Sequence, residues 1–328
     1  MHRPGRWIRR RLGPLTDGRA KPSLPVGGHH RLIDIALSNA AHSGLSDVWV
    51  LVCSADHLVL IDHRPVIAEH LDTGADATVV TTEVTTDADA ARAMVVQDTD
   101  GRGTAVDDKP EHPAGHVVGT EIFLYRPDRL GAVLHELVGQ DEDLGDHGDR
   151  LIPALVADAS VRAVRHDGHW RDLGTPEAYL DGQLALLADP PPLRLDDPRW
   201  PVLTSMPVRA PARIERTAEL DRTWVSPGAA VAGTVINSIV GPGARVAAGA
   251  EVRDSVLMAD AVVEPGARVV RSVLAEQVVV GRDARLAGTT ADPVLVGTGH
   301  RVDAQARVDA GAQLDPAERP RRPTRDHD

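Results

Sequence analysis

Lysine is almost missing from this 328-residue chain: of its 36 lysine and arginine residues, only Lys21 and Lys109 are lysine. With a formal net charge of −12, no lysine-rich tract and no aromatic-interleaved basic surface, nucleic acid is excluded as a partner class. The one basic cluster, RWIRRR at residues 6–11, is followed by no apolar run and reads as a solvated terminus rather than a targeting arm. Cysteine is represented by Cys53 alone, which rules out an intrachain disulfide and fits a reducing, cytoplasmic setting. Within VWVLVCSAD it reads as a small buried hydrophobe. Five tryptophans, two tyrosines and one phenylalanine cannot centre a core, which falls to Val, Leu, Ile and Ala. That composition points to parallel or solenoidal β-structure rather than an aromatic-centred sandwich. No segment approaches the roughly 20 apolar residues of a membrane span, so no membrane partner is expected.

What is present divides by period, and the length suggests two domains. DVWVLVCSAD (47–56) and ADATVVTTEV (75–84) read as strands, and HRPVIAEHLDTG (63–74) reads as a helix closed by Gly74. A second helix, TPEAYLDGQLALLA (175–188), ends at a proline run, and RLDDPRWP (194–201) behaves as a linker. This is α/β patterning, in which ligands gather in loops that follow strands. Beyond the linker Val240, Val246, Val252 and Met258 stand six residues apart. Val263 and Val269, Val280 and Leu286, then Val296, Val302, Val308 and Leu314 continue the pattern between PGA and AGA turns. One inward aliphatic per six residues with small corners describes a β-helix with three faces per coil.

Five blocks carry a resemblance. They are LGPLTDGRAKPSLPVGGHHRLIDIALSNAAHSGL (12–45), SADHLVLIDHRPVIAEHLDTGADATVV (54–80), DGRGTAVDDKP (100–110), GHWRDLGTPEAYL (168–180), and DDPRWPVLT leading into the repeats. In this order they resemble bacterial glucose-1-phosphate adenylyltransferases, also called ADP-glucose pyrophosphorylases, from Leu12 to about residue 290. The resemblance implies an α/β fold: a truncated Rossmann-like nucleotidyltransferase domain followed by a left-handed parallel β-helix of hexapeptide repeats. The expected boundaries are 1–193 for the first domain, 194–222 for a linker, 223–316 for the β-helix and 317–328 for a disordered tail. The implied reaction makes ADP-glucose and pyrophosphate from ATP and glucose 1-phosphate, in glycogen biosynthesis. Homo-oligomers through the β-helix, or hetero-oligomers with a paralogue, are the implied assemblies.

Such a transfer brings two anions together and neutralises charge at a pentavalent phosphorus. By resemblance, Asp56 and Asp172 match the metal-binding pair, expected to hold Mg2+. Lys109 matches the lysine that contacts the sugar phosphate, with Asp108 where the family has a glutamate. Lys21, with Arg19 beside it, matches the lysine on the nucleotide or pyrophosphate side. A lysine is a compact point charge on a flexible stem, and the arginine fork does not replace a single-oxygen contact, so both lysines are kept at phosphate positions. Gly119 and Glu121 stand near the sugar, where the family commonly has a serine and a glycine; a carboxylate there is repulsive unless it accepts sugar hydroxyls.

The chain also departs from the family. MHRPGRWIRRRL stands where an apolar strand and a glycine-rich, triphosphate-wrapping loop are expected. Several tens of family residues between the HSG and ADH blocks, including a base-recognising segment, have no counterpart before Val52. Both departures favour a second reading, a catalytically inactive regulatory or binding homologue that assembles with an intact paralogue. A hexapeptide acyltransferase is a third class, disfavoured because His300 is the only histidine in residues 201–320. Plainer roles compete at some positions: packing for Trp170 and Tyr179, a solvated edge for Asp107 and Asp108, a turn or cap for Asp172. His29, His30 and His57 show no metal-ligand spacing with Cys53, so no zinc site is expected.

Overall fold

A computed structural model describes residues 12–16, 21–28, 30–43, 50–91, 93–99, 102–139, 150–158, 160–204 and 208–315. Residues 1–11, Arg19, His29 and the tail expected at 317–328 lie outside the described residues. The chain forms two compact units, one of Ile33–Arg171 with Asp197–Leu203, the other of Met1–Leu32, Asp172–Asp196 and Thr204–Asp328.

The first unit is built on a mixed sheet. Its central strand, Val117–Tyr125, pairs antiparallel with Ala77–Glu83 on one edge, and with Val50–Cys53 and Met94–Thr99 on the other. Ala77–Glu83 pairs in parallel with Val161–Arg165, and Met94–Thr99 forms a hairpin with Arg102–Asp108. Every residue from Ala77 to Thr82 is buried, because the sheet is covered on both faces. Val80 and Ile122 pack with Val66 of the helix Arg64–Thr73 on one face. Val79 and Phe123 pack on the other with Val133 and Leu137 of helix Pro127–Gly139 and Leu155 of helix Ile152–Asp158. Gly74 closes Arg64–Thr73 in the left-handed conformation, φ +62°, its amide donating to the carbonyls of His70 and Leu71.

The SNAAHSG block explains itself as a polar hub at the end of helix Leu32–His42. Asn39, buried, donates to the Val59 carbonyl at 3.0 Å and accepts from the Ile61 amide at 3.2 Å and the Trp200 indole at 3.1 Å. Ser38 accepts from the Leu203 amide, and His42 Nε2 lies 2.7 Å from the Pro201 carbonyl. Residues 197–203, expected as part of a linker, are therefore docked on this helix by hydrogen bonds.

The second unit carries a three-sided parallel β-helix. The ladders Glu251↔Arg268↔Arg285 and Val262↔Val279 advance 17 residues per coil, one short of three hexapeptides because the Met258 to Val263 step is five. The next coil advances 22 residues, Val279↔Arg301, with the additional chain at 288–293. Corner residues stack in columns with positive φ: Asn237, Asp254 and Arg271 in one, Gly243, Asp260, Gln277 and Gly299 in another, Gly249, Gly266, Asp283 and Gln305 in the third. The anchors from Val240 to Val302 are buried, and Val308 and Leu314 in the last coil are partly so. Coil pairing begins at Arg213↔Ala230 and Glu219↔Thr234, inside the segment expected as linker. That first coil presents exposed residues such as Arg213, Ile214 and Glu219, and its first corner, Arg216–Thr217, lacks the small residues of the later turns, so its period is hard to read in the sequence.

In the same unit the strands Pro25–Val26 and His30–Arg31 form a short hairpin across Gly27 and Gly28, φ +56° and +83°. A Cβ on Gly28 would stand 2.5 Å from Ser226 Oγ, and one on Gly27 2.6 Å from a Leu195 methyl. The helix Pro176–Ala185 holds this hairpin: Gln183 accepts from the Gly27 amide at 3.1 Å and donates to the Pro25 carbonyl at 3.1 Å, and Tyr179 donates to the same carbonyl. Thr175 caps that helix by accepting from the Ala178 amide at 3.2 Å.

Candidate functional site

Asp56, Asp108, Lys109, Gly119 and Glu121 belong to the sheet unit, whereas Lys21 and Asp172 belong to the β-helix unit. Lys21 opens a single turn of 3-10 helix, Lys21–Ser23, and its carbonyl accepts from the Leu24 amide at 3.0 Å. Asp172 ends the strand Trp170–Asp172, with carboxylate oxygens 2.9 and 3.0 Å from where a Cβ on Gly174 would stand. Arg19 lies outside the described residues.

The geometry around Asp56 starts from an irregularity in the central strand. Val79 pairs with Phe123 but Thr81 pairs with Gly119, so Thr120, Glu121 and Ile122 face Val80 alone. This β-bulge puts Glu121 in the left-handed region, φ +53°. Bulges break the ladder and re-aim side chains. Here the Ser54 amide donates to the Glu121 carbonyl at 3.0 Å and Thr120 Oγ1 donates to the Val80 carbonyl at 3.0 Å. The Thr120 carbonyl lies 2.9 Å from Nδ1 of His57.

His57 is 5% exposed, and its Nε2 lies 3.7 Å from Asp56 Oδ1 and 3.7 Å from Glu121 Oε2. Ser54 Oγ donates to Asp56 Oδ1. One donor atom from each of Asp56, His57 and Glu121 lies within 4.8 Å of the other two, the one such grouping of His, Cys, Asp or Glu among the described residues. Trp170 packs edge-on to the His57 ring at 5.1 Å, its Nε1 3.2 Å from Nδ1. Two carboxylates and an imidazole converging at this scale fit a divalent cation.

His57 is the residue that sequence reasoning missed. Tested only against Cys53, it showed no ligand spacing, yet its partners are the adjacent Asp56 and a carboxylate 64 positions later on another strand. Burial pushes the Cys53 thiol up to about 11, so it is no thiolate ligand at neutral pH.

Lys109 follows the strand Arg102–Asp108 at φ +49°, held by its amide donating to the Ala93 carbonyl at 3.1 Å. Its ammonium lies 3.2 and 3.4 Å from the two carboxylate oxygens of Asp108. Asp108 pairs with Met94 and Met94 with Gly119, so Asp108 and Gly119 share one row of the sheet. Gly119 is closely packed: a Cβ there would stand 2.5 Å from the Met94 methyl.

The family model described as Nucleotidyl transferase matches residues 10–53 and 47–189, and the one described as GlmU-like, C-terminal hexapeptide matches residues 210–317. The first match runs in two pieces that meet at 47–53, the junction at which two sequence blocks are joined directly. Among curated proteins, a glucose-1-phosphate adenylyltransferase of Thermomicrobium roseum is 32% identical over 287 residues, covering 67% of this chain and 67% of that protein. One from Frankia casuarinae is 29% identical over 394 residues, covering 93% and 89%. One from Thermotoga neapolitana is 28% identical over 310 residues, covering 74% and 73%.

Proposed function

The chain belongs to the glucose-1-phosphate adenylyltransferase family of nucleotidyl transferases, and from that premise we propose that it converts ATP and glucose 1-phosphate into ADP-glucose and pyrophosphate for glycogen synthesis. In this reaction a phosphate oxygen of the sugar 1-phosphate attacks the α-phosphorus, and the bond to the β-bridging oxygen breaks. Pyrophosphate leaves with that electron pair. Lys109 binds the sugar phosphate, and the neighbouring Asp108 carboxylate restrains its ammonium. Lys21 and Arg19 bind the nucleotide phosphates. Asp56 holds the divalent cation, Mg2+ in this reading, which neutralises charge between the phosphates when bound. Asp172 is kept as a functional carboxylate on its resemblance alone.

The observation that supports this reading is the meeting of Asp56 with His57 and Glu121 at the end of an edge strand, in a chain of this family. Assembly into a homo-oligomer through the β-helix belongs to the same proposal, supported by partly exposed Ile214 and Leu220 on its first coil. A cytoplasmic location fits a chain in which no helix among the described residues is long and apolar enough to cross a membrane.

The test is pyrophosphate release by the full chain with MgCl2, ATP and glucose 1-phosphate, beside Asp56→Asn. Release that falls on the order of a hundredfold in the variant is the expected result. Release no greater than that of the variant, from protein shown to be folded, overturns catalysis and leaves the regulatory homologue.

A further inference from the structure

We propose that Arg271, at a corner of the β-helix, is a positioning residue for Lys21: it pins the helix Pro176–Ala185 from behind and so holds the nucleotide-side lysine in place. The proposal rests on the role given above to Lys21, and every residue involved belongs to the β-helix unit.

Tyr179 and Gln183 stand four positions apart and share one face of that helix, where both donate to the Pro25 carbonyl and Gln183 also accepts from the Gly27 amide. Asp181 lies two positions from each, about 200° around a helix of 3.6 residues per turn, and so faces the other way. Its Oδ1 accepts from the Arg271 guanidinium at 2.9 Å. The helix is thus gripped on one face by the Pro25–Arg31 hairpin and on the other by a corner of the β-helix.

The hairpin continues to Lys21 through main-chain bonds. The carbonyl of Leu24, a fully buried residue, accepts from the Leu32 amide at 3.1 Å, and its amide donates to the Lys21 carbonyl at 3.0 Å. A shift of the helix therefore passes through Pro25 and Leu24 into the turn that carries Lys21. Groups that position a substrate tolerate little displacement, and about 1 Å is already costly.

Arg271 differs from its neighbours in the same column. Asn237 and Asp254 satisfy each other, Nδ2 donating to Oδ1 at 2.6 Å. Arg271 opens the long coil, in which Ser272 pairs 22 residues on with Val294. The additional chain forms a turn closed on itself: the Thr289 amide donates to the Asp292 carbonyl and the Asp292 amide to Thr289 Oγ1, each at 3.1 Å. Two carbonyls of that turn orient the guanidinium, Thr289 accepting from Nε at 3.4 Å and Thr290 from a terminal nitrogen at 3.2 Å. The same terminal nitrogen reaches Asp181, so the planar fork spends one hydrogen on the turn and one on the helix. With side chains 15% and 32% exposed, this pair is more enclosed than the screened ion pairs of an open surface.

The experiment measures binding of MgATP and of glucose 1-phosphate to the full chain by calorimetry, without turnover. The proteins are the parent, Asp181→Ala, Arg271→Met, Lys21→Ala and the double variant of Lys21→Ala with Asp181→Ala. Asp181→Ala breaks the tie to the helix, leaves the Arg271 bonds to Thr289 and Thr290, and places a good helix former in a helix. It should weaken ATP about tenfold and leave glucose 1-phosphate within about twofold. By charge alone, loss of a carboxylate would tighten the binding of an anion, so weakening reads position. Arg271→Met should act in the same direction. In the Lys21→Ala background Asp181→Ala should add nothing, because it acts through that lysine. Unchanged ATP affinity in the two variants, shown to be folded by circular dichroism, overturns the proposal. Equal weakening of both ligands, or an undiminished effect without Lys21, does the same. A parent chain that binds no ATP overturns the proposed function as well, so the two failures are distinct.

Discussion

Nδ1 of His57 lies 2.9 Å from the main-chain oxygen of Thr120, a residue 63 positions further along the chain. One β-bulge stands behind that contact and behind the position of Glu121. The backbone at Glu121 is glycine-like, φ +53°, while its side chain is a carboxylate. The left-handed conformation costs a residue with a Cβ roughly 1–2 kcal/mol. Glu121→Gly is therefore expected to raise the stability of the chain by about 1 kcal/mol. Urea unfolding checks the sign. A variant that loses stability would mean that the Glu121 side chain holds the bulge together.

The two lysines are expected to resist exchange for arginine. Lys109→Arg places a planar fork at a left-handed position beside Asp108, and should raise the KM for glucose 1-phosphate about tenfold with little change for ATP. Lys21→Arg should do the reverse. Steady-state pyrophosphate release with each substrate varied separates the two, and identical effects on both substrates would contradict the assignment.

Gly119 is expected to matter for stability. Its added Cβ would lie 2.5 Å from the methyl of Met94, a residue only 4% exposed, so Gly119→Ala should cost about 1–3 kcal/mol. Met94→Ala removes the obstruction, and the double variant should be more stable than the sum of the two single changes predicts, by about 1 kcal/mol or more. Strict additivity in chemical unfolding would show that Gly119 is not held by this contact.

The β-helix was legible because its signal is local: inward valines and small corners recur at fixed spacing, and the fold needs nothing else. The helices at 64–73 and 176–185 were legible for the same reason, through Gly74 after the first and the proline run at 190–192 after the second. What stayed hidden depends on pairing across distance. Trp200 reads as part of a proline-rich linker until Asn39 is placed beneath it. Glu121 reads as an awkward carboxylate near a sugar, because a bulge is a mismatch between two strands and no single segment records it. His57 sits in an apolar strand start, where burial is the ordinary expectation, and only the fold brings Glu121 to its far nitrogen.

Inside the β-helix, Ser238, Ser255 and Ser272 stack at 17-residue intervals, all fully buried. Ser238 Oγ accepts from the Ser255 amide and Ser255 Oγ from the Ser272 amide, each at 3.1 Å. Alanine at 238 or 255 strands a buried amide, a loss of about 1–3 kcal/mol. In the coil after Ser272, the Val294 amide instead donates to the Arg271 carbonyl at 3.1 Å. Ser272→Ala should therefore cost less than the other two, and thermal unfolding of the three variants tests that order.

The sheet unit should lose stability in mild acid, with His63 as a principal cause. The residue is 1% exposed, and burial, with a smaller contribution from nearby His166, pushes its pKa down to about 4 against the opposing pull of Asp62. Burial lowers His166 and His169 as well. A histidine whose folded pKa lies below its unfolded value of about 6.5 binds more protons when unfolded anywhere between the two. Stability is thus flat above about pH 6.5 and falls as pH drops toward 4, at up to about 1.4 kcal/mol per pH unit for each such group. For His63 the whole window amounts to about 3 kcal/mol. His63→Gln cannot titrate, so its urea midpoint should fall less steeply between pH 6.5 and 5 than that of the parent chain, whatever its stability at pH 8. Parallel pH profiles for the two proteins would remove His63 from the acid response and leave it to His166, His169 and the carboxylates.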